Sequence, residues 1–136
     1  MILIACLDKK GGMLFGEKRQ SRDRAVVERI LSLTEGKRLF LTPYSAALFP
    51  EREGIIPTEH PEARAEEGDF YFVEDGPIPE EGVEGLLLFL WNRHYPATRT
   101  LDQSRFSLKR ISKREFTGTS HERITEEAYG TVPQKK

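Results

Sequence analysis

The chain has a single cysteine, Cys6, so it cannot form a disulfide within itself. It also lacks a long apolar segment, because its longest apolar run, GLLLFLW at 85–91, is far too short to span a bilayer. The first residues, MILIACLDKK, have neither the basic start nor the long apolar stretch of a signal peptide. These absences predict a cytoplasmic protein that does not enter a membrane.

Neither sign of charge dominates the sequence. There are 21 Lys and Arg against 22 Asp and Glu, which gives a net charge of −1. A balanced chain has no global field that would attract nucleic acid, so no nucleic-acid partner is predicted. A local basic cluster stands out near the N-terminus, and its members are Lys9, Lys10, Lys18, Arg19, Arg22 and Arg24. Such a cluster indicates a solvated face or, alternatively, a surface that attracts an anionic ligand.

The histidines give no sign of a metal site. His60, His94 and His121 are far apart and none belongs to an H-x-H or H-E-x-x-H pair. A zinc hydrolase such as ribonuclease Z, a label that similar short chains sometimes carry, is therefore not predicted. The sequence also has no phosphate-binding P-loop and no nucleophile elbow.

The pattern along the chain predicts an α/β fold. MILIACL, KRLFLTP, FYFVEDG and LLLFLW are apolar and read as buried strands, mostly in a parallel sheet. MLFGEKRQS reads as a mobile flap, and residues 50–69 read as loop with at most a short strand near Ile55. Ser21 is the expected N-cap of the first helix, which places Asp23 in its first turn.

The last third of the chain changes character. RFSLKRISKREF and SHERITEEAYG alternate apolar and polar residues around TGT, which predicts an antiparallel hairpin with one solvated face. TVPQKK, residues 131–136, is predicted to be a frayed tail. We therefore expect a single domain over 1–130: a mostly parallel sheet with a C-terminal antiparallel hairpin and flanking helices.

The order and spacing of LIACLDKKGGM, KRLFLTPYSAALF and LLLFLWNRHYP resemble the dihydrofolate reductase family. In that family the first strand leads through a flexible loop into a helix whose early acid binds the pterin. The resemblance assigns that role to Asp23, whereas the alternative is an acid that serves only the helix dipole. It further implies that Phe15 and Val27 contact the faces of a ligand ring, that Ser45 or Trp91 borders the site, and that Cys6 of the first strand contributes to it.

The positions that would bind NADPH depart from the family. A Gly-Arg pair that meets the ribose phosphate is replaced by Thr42 and Pro43, which carry no charge. A Gly-Gly turn that approaches the pyrophosphate is replaced by Glu74 and Asp75, whose carboxylates would repel it. The cofactor therefore stays unknown, and NADPH is disfavoured.

Three functions follow from these observations. The leading prediction is a divergent dihydrofolate reductase-like domain that binds a small planar or nucleotide-like ligand without standard NADPH-dependent activity. The first alternative is an active NADPH-dependent dihydropterin-type reductase, and the second is a non-catalytic interaction domain. A homodimer is compatible with all three.

Overall fold

The computed structural model describes residues 1–130, so the predicted tail at 131–136 lies outside the described residues. A large sheet contains seven strands in the order β5-β4-β6-β1-β7-β10-β9, and a small sheet contains three in the order β3-β2-β8. The strands are β1 (Ile2–Leu7), β2 (Gly12–Phe15), β3 (Lys18–Arg19), β4 (Leu39–Leu41), β5 (Ile55–Pro57), β6 (Phe70–Phe72), β7 (Gly85–Leu90), β8 (Arg99–Thr100), β9 (Lys109–Phe116) and β10 (Ile124–Gly130). The helices are α1 (Arg24–Leu33), α2 (Pro43–Ala46), α3 (Pro61–Arg64) and a 3₁₀ turn at Gln103–Phe106.

Strand β1 is at the centre of the large sheet. It runs parallel to β6 on one side and to β7 on the other, while β10 is antiparallel to both β7 and β9. β5, β4 and β6 are also parallel to their neighbours. The prediction of a mostly parallel sheet that ends in an antiparallel hairpin is therefore confirmed.

Alternation along β1 divides the core into two layers. Leu3, Ala5 and Leu7 face one layer, which includes Met13 and Leu14 of the small sheet. Ile4 faces the other layer, where the buried stripe of α1, Val26 and Ile30, covers the sheet. Because successive strand side chains point to opposite faces, one apolar strand supplies both layers.

The segment predicted to be a flap is a strand pair. β2 pairs antiparallel with β3 and with β8, and Met13 and Leu14 are buried. The prediction of a loop was wrong because β2 pairs at Gly12 and Leu14 with β8, which is more than eighty residues away in the sequence. Only Phe15 of this trio is largely exposed.

The start of α1 also differs from the prediction. Asp23, and not Ser21, is the N-cap: its backbone is extended and its side chain accepts a hydrogen bond from the N–H of Ala25. Asp and Ser are comparable N-cap residues, so composition could not separate the two positions. The segment 50–69 contains the predicted short strand, here β5, and in addition the single turn α3.

Within residues 1–130, no helix is both long enough and apolar enough to cross a membrane.

Candidate functional site

Four parallel strands of the large sheet end on the same side of the molecule. Polar or aromatic residues follow each of them: Asp8 after β1, Thr42 after β4, Glu74 after β6 and Trp91 after β7. This edge is where open α/β sheets usually bind ligands. The candidate site is therefore built from the residues along this edge and from the helix that covers it.

The turn after β6 places a carboxylate at the middle of this edge. Glu74 is buried and receives two hydrogen bonds from Arg19, Nε to Oε2 at 3.0 Å and Nη2 to Oε1 at 2.8 Å. The hydroxyl of Ser45 donates to the same Oε1 at 2.7 Å. The Arg19 guanidinium also lies over the ring of Tyr44, 4.4 Å from its centre. Glu74 therefore has its charge balanced by Arg19 within the protein.

Asp75, the next residue, is held in a similar way. The hydroxyl of Thr42 donates to Asp75 Oδ1 at 2.6 Å. Thr42 is in addition the N-cap of the short helix α2, where it accepts from the N–H of Ser45. The four residues Thr42, Ser45, Glu74 and Asp75 thus form a connected polar network where the resemblance places the cofactor phosphates.

Asp23 lies at the other end of the site, at the start of α1. Its Oδ1 accepts from the N–H groups of Ala25 at 2.9 Å and Thr119 at 2.7 Å. Its Oδ2 accepts from the N–H of Ser120 at 2.7 Å and pairs with Nδ1 of His121 at 2.9 Å. A carboxylate offers about four acceptor positions, so all of them are occupied.

The protonation of Asp23 follows from these contacts. Burial disfavours the charged carboxylate, but the hydrogen bonds from His121 and from the three backbone N–H groups outweigh that effect and lower the pKa of Asp23 to about 2. Asp23 is therefore ionised at neutral pH although its side chain is fully buried.

His121 is a candidate site residue that the sequence did not identify. It lies in the loop between β9 and β10, and its ring stacks on Trp91 with 4.5 Å between the ring centres. Its Nε2 lies 2.9 Å from the Ser21 hydroxyl oxygen and 3.4 Å from that of Tyr95. No sequence signal links Ser21 and Asp23 to a histidine about a hundred positions away, because only the hairpin brings that loop onto α1.

A cleft of about 360 Å³ opens beside Asp23. It lies between α1, the residues that follow α2, and the loop between β9 and β10, and we call it the α1 cleft. Its lining residues are Arg22, Asp23, Arg24, Val27, Ala47, Leu48, Thr119 and Ser120. Arg22 and Arg24 are exposed, and neither guanidinium forms a salt bridge with any residue in the part of the chain that the structure describes.

The structure brings together some of the predicted site residues and separates others. Asp23 and Val27 both line the α1 cleft, whereas Ser45 is buried against Glu74 and Trp91 is buried against His121. Phe15 projects from β2 with 55% of its surface exposed and does not line the cleft.

Cys6 lies on the face of β1 that α1 covers, in contact with the core there. Burial, aided by the nearby Glu74 carboxylate, raises the pKa of the Cys6 thiol. The thiol therefore stays protonated at neutral pH and is a poor nucleophile.

The acidic residues do not assemble a metal site. Among residues 1–130, no group of three or more His, Cys, Asp or Glu side chains is arranged to hold an ion.

Comparison with known proteins supports the architecture only. No protein-family model matches this chain, and no curated protein does. Among solved structures, a dihydrofolate reductase from Enterococcus faecalis in complex with NADP(H) and RAB-propyl matches 95% of this chain and 94% of its own length, with a TM-score of 0.66. The two sequences are only 11% identical. The chain therefore has a dihydrofolate reductase-like fold, and at this identity the similarity establishes the fold alone.

Proposed function

We propose that this chain binds a small planar or nucleotide-like ligand in the α1 cleft and does not carry out standard NADPH-dependent reduction. The observation that carries the proposal is the cleft itself. It brings the apolar side chain of Val27 next to two guanidinium groups, Arg22 and Arg24, that have no acidic partner within residues 1–130. A ligand with a flat ring and an anionic group suits this combination.

The volume of the cleft and the fold of the chain favour the same ligand class. The cleft volume of about 360 Å³ is at the lower end of the range for small-molecule sites. The Enterococcus faecalis reductase of similar fold binds NADP(H) and RAB-propyl, which are small molecules of this general kind. The similarity of fold makes a small-molecule ligand a reasonable expectation for this chain.

The Asp23 carboxylate already accepts four hydrogen bonds within the protein. A ligand ring that donates to Asp23 would have to displace the N–H groups of Thr119 and Ser120, because every acceptor position is occupied. We therefore propose that Asp23 shapes the cleft by fixing its 119–121 wall. Direct contact between Asp23 and a ligand requires that this wall moves.

The absence of NADPH-dependent activity is inferred from Glu74 and Asp75. Their carboxylates stand in the turn that would approach the pyrophosphate, and they already bind Arg19, Ser45 and Thr42. A bound pyrophosphate would have to compete with Glu74 for Arg19 and would meet two like charges at short range. Both effects weaken cofactor binding.

A thermal-shift panel tests the proposal. It would contain NADPH, NADH, dihydrofolate, methotrexate and common nucleotides. A compound at one hundred times its dissociation constant should stabilise the fold by about 2.7 kcal/mol. We expect stabilisation by at least one nucleotide or antifolate, and none by NADPH. In the Arg22→Ala/Arg24→Ala variant, the affinity for the stabilising compound should fall by about tenfold.

Two further variants make the panel decisive. Arg105→Ala removes an exposed guanidinium from the 3₁₀ turn at Gln103–Phe106, which contributes no residue to the cleft, and should leave the response unchanged. Glu74→Gly/Asp75→Gly removes both carboxylates and should strengthen any NADPH response. Strong stabilisation of the unaltered chain by NADPH, with turnover of a dihydropterin, would favour the reductase instead, and a flat panel would favour the interaction domain.

A further inference from the structure

Three side chains next to the α1 cleft form a continuous hydrogen-bonded line. Ser21 Oγ lies 2.9 Å from His121 Nε2, and His121 Nδ1 lies 2.9 Å from Asp23 Oδ2. The serine and the aspartate immediately precede α1, while the histidine comes from the loop between β9 and β10. We call this line the serine relay.

The direction of the relay is fixed by its carboxylate end. Because the Asp23 carboxylate can only accept, His121 Nδ1 carries a proton, and in the neutral imidazole Nε2 then presents its lone pair to the Ser21 hydroxyl. The N–H of Ser120 donates to the same Asp23 oxygen and holds it in place. Stacking on Trp91 sets the plane of the ring. These are the contacts that orient a histidine base toward a serine.

The nucleophilic end of the relay is more open than its acidic end. Asp23 and His121 are buried, with side-chain exposures of 0% and 4%, whereas Ser21 is half-buried. The immediate neighbours of the relay, Arg22 and Ser120, both line the α1 cleft. Of the three relay residues only Asp23 lines the cleft, so a substrate whose negative charge is bound there by Arg22 or Arg24 would have to extend toward Ser21.

We propose that Ser21 is the nucleophile of an acyl-transfer site that hydrolyses small carboxylic esters carrying an anionic group. Ser21 Oγ bonds to the ester carbonyl carbon as its proton passes to His121 Nε2. The bond from that carbon to the leaving oxygen then breaks, and the proton on Nε2 goes to the departing alkoxide. Water then attacks the carbonyl carbon of the acyl-serine as its proton passes to His121 Nε2. The bond from that carbon to Ser21 Oγ breaks, Nε2 returns the proton to Oγ, and the carboxylic acid is released. Ser21 and His121 are the catalytic residues, and Asp23 is a positioning residue.

A fluorophosphonate probe tests the proposal without knowledge of the natural ester. Attack by an activated serine forms an oxygen–phosphorus bond and expels fluoride, so the modified residue can be located by peptide mass spectrometry. We expect a single phosphonylated peptide containing Ser21. The Ser21→Ala variant should not be labelled, and its hydrolysis of p-nitrophenyl acetate should fall by about 100-fold or more.

Controls separate a reactive serine from a structural one. Ser112→Ala removes an exposed hydroxyl from β9, outside both the relay and the α1 cleft, and should leave labelling of Ser21 unchanged. His121→Gln and Asp23→Asn should each slow labelling of an intact Ser21, measured on samples with a folded melting profile. If these variants do not fold, the labelling map of the unaltered chain decides alone. No labelling of Ser21, or equal labelling of other hydroxyls, would overturn the proposal. A flat ligand panel would leave this result unaffected, so the two proposals can fail separately.

Discussion

At the scale of single residues, the buried carboxylates of Glu74 and Asp23 are held by different kinds of partner. Glu74 has a cationic partner in Arg19 and belongs to a polar network that fills the site from within. Asp23 has no cationic Lys or Arg partner among residues 1–130 and is held by backbone N–H groups and by His121. Glu74 is therefore paired with a cation, whereas Asp23 holds the 119–121 segment that forms one wall of the α1 cleft.

The Asp23 contacts predict a specific dependence of stability on pH. In the folded chain the pKa of Asp23 is about 2, against an ordinary value of 3.8. A depressed pKa stabilises the folded state above the ordinary value, and this stabilisation is lost as the pH falls through the folded value. The shift corresponds to about 2 kcal/mol.

We expect Asp23→Asn to lower the free energy of unfolding by about 2 to 3 kcal/mol at pH 7, because an amide group would face the N–H donors of the 119–121 segment. Urea unfolding from pH 6 down to pH 2 should show this difference shrinking below about pH 4. Asp102→Asn, which alters the exposed N-cap of the 3₁₀ turn, is the matched control and should show a much smaller effect. A difference that is the same at every pH would contradict the assignment.

At the scale of elements, α1 is fixed to the C-terminal hairpin at two points. Its N-terminus is tied to the loop between β9 and β10 through Asp23, and its middle is tied to β10 through Arg29. The Arg29 guanidinium binds Glu126 with Nε to Oε1 at 2.7 Å and Nη2 to Oε2 at 3.1 Å. The helix therefore depends on the C-terminal hairpin as well as on its apolar stripe.

Removing this contact should expose that dependence. In Arg29→Ala the Glu126 carboxylate, which is only 6% exposed, would lose its charged partner. We expect the free energy of unfolding to fall by about 2 to 3 kcal/mol. Adding Glu126→Gln should restore about half of the loss, because the unpaired buried charge is removed.

Urea unfolding of Arg29→Ala, of Glu126→Gln and of the double variant gives the coupling energy between Arg29 and Glu126. Glu28→Ala, an exposed position of the same helix, serves as the control and should change stability by less than about 0.5 kcal/mol. If Arg29→Ala and Glu126→Gln each lower the free energy of unfolding by no more than this control, the Arg29–Glu126 pair does not hold α1 to β10.

At the scale of the whole molecule, residues from the first and last parts of the chain meet in one sheet. β1, the first strand, pairs with β7, and β7 pairs with β10, the last strand. The two ends of the described chain are therefore joined by hydrogen bonds through β7. The small sheet packs on the same core through Met13 and Leu14. We therefore propose that 1–130 fold as one domain, as the sequence predicted.

A single domain should unfold in a single transition. Trp91, the one tryptophan of the sequence, is buried at the end of β7 and reports on the centre of the large sheet. We expect its fluorescence and the far-ultraviolet circular dichroism to change at the same urea concentration. Transitions with different midpoints would indicate parts that unfold independently.

How much of this could be read from the sequence depends on the distance over which residues interact. The strands β1, β4, β6 and β7 were predictable because continuous apolar runs identify buried strands locally. The antiparallel hairpin at the end of the chain was predictable from its alternating strands. The predicted single solvated face was wrong, because β9 is exposed along nearly all of its length and β10 is buried at residues 124–127. Residues 13–21 were read as a flap because the partner strand, β8, is distant and only two residues long.

The candidate site was less predictable than the fold. Asp23 and Val27 were identified, on the resemblance to a reductase family, and they do line one cleft. His121 was considered only as a metal ligand, because nothing in its neighbours shows that it meets Asp23. Glu74 and Asp75 were recognised as obstacles to a phosphate, but their partners Arg19, Ser45 and Thr42 could not be deduced.

The sequence by itself determined the class of fold, since apolar periodicity and turn residues act within a few positions of each other. Together with the family resemblance it also predicts that a standard NADPH site is disfavoured, because the charge of a side chain can be read from its residue type. Only the tertiary structure decided which groups face each other: the Arg19–Glu74 pair, the serine relay and the α1 cleft all join residues from distant segments. Hydrogen bonds and pKa shifts depend on separations of about 3 Å, and such separations are set by packing rather than by order along the chain.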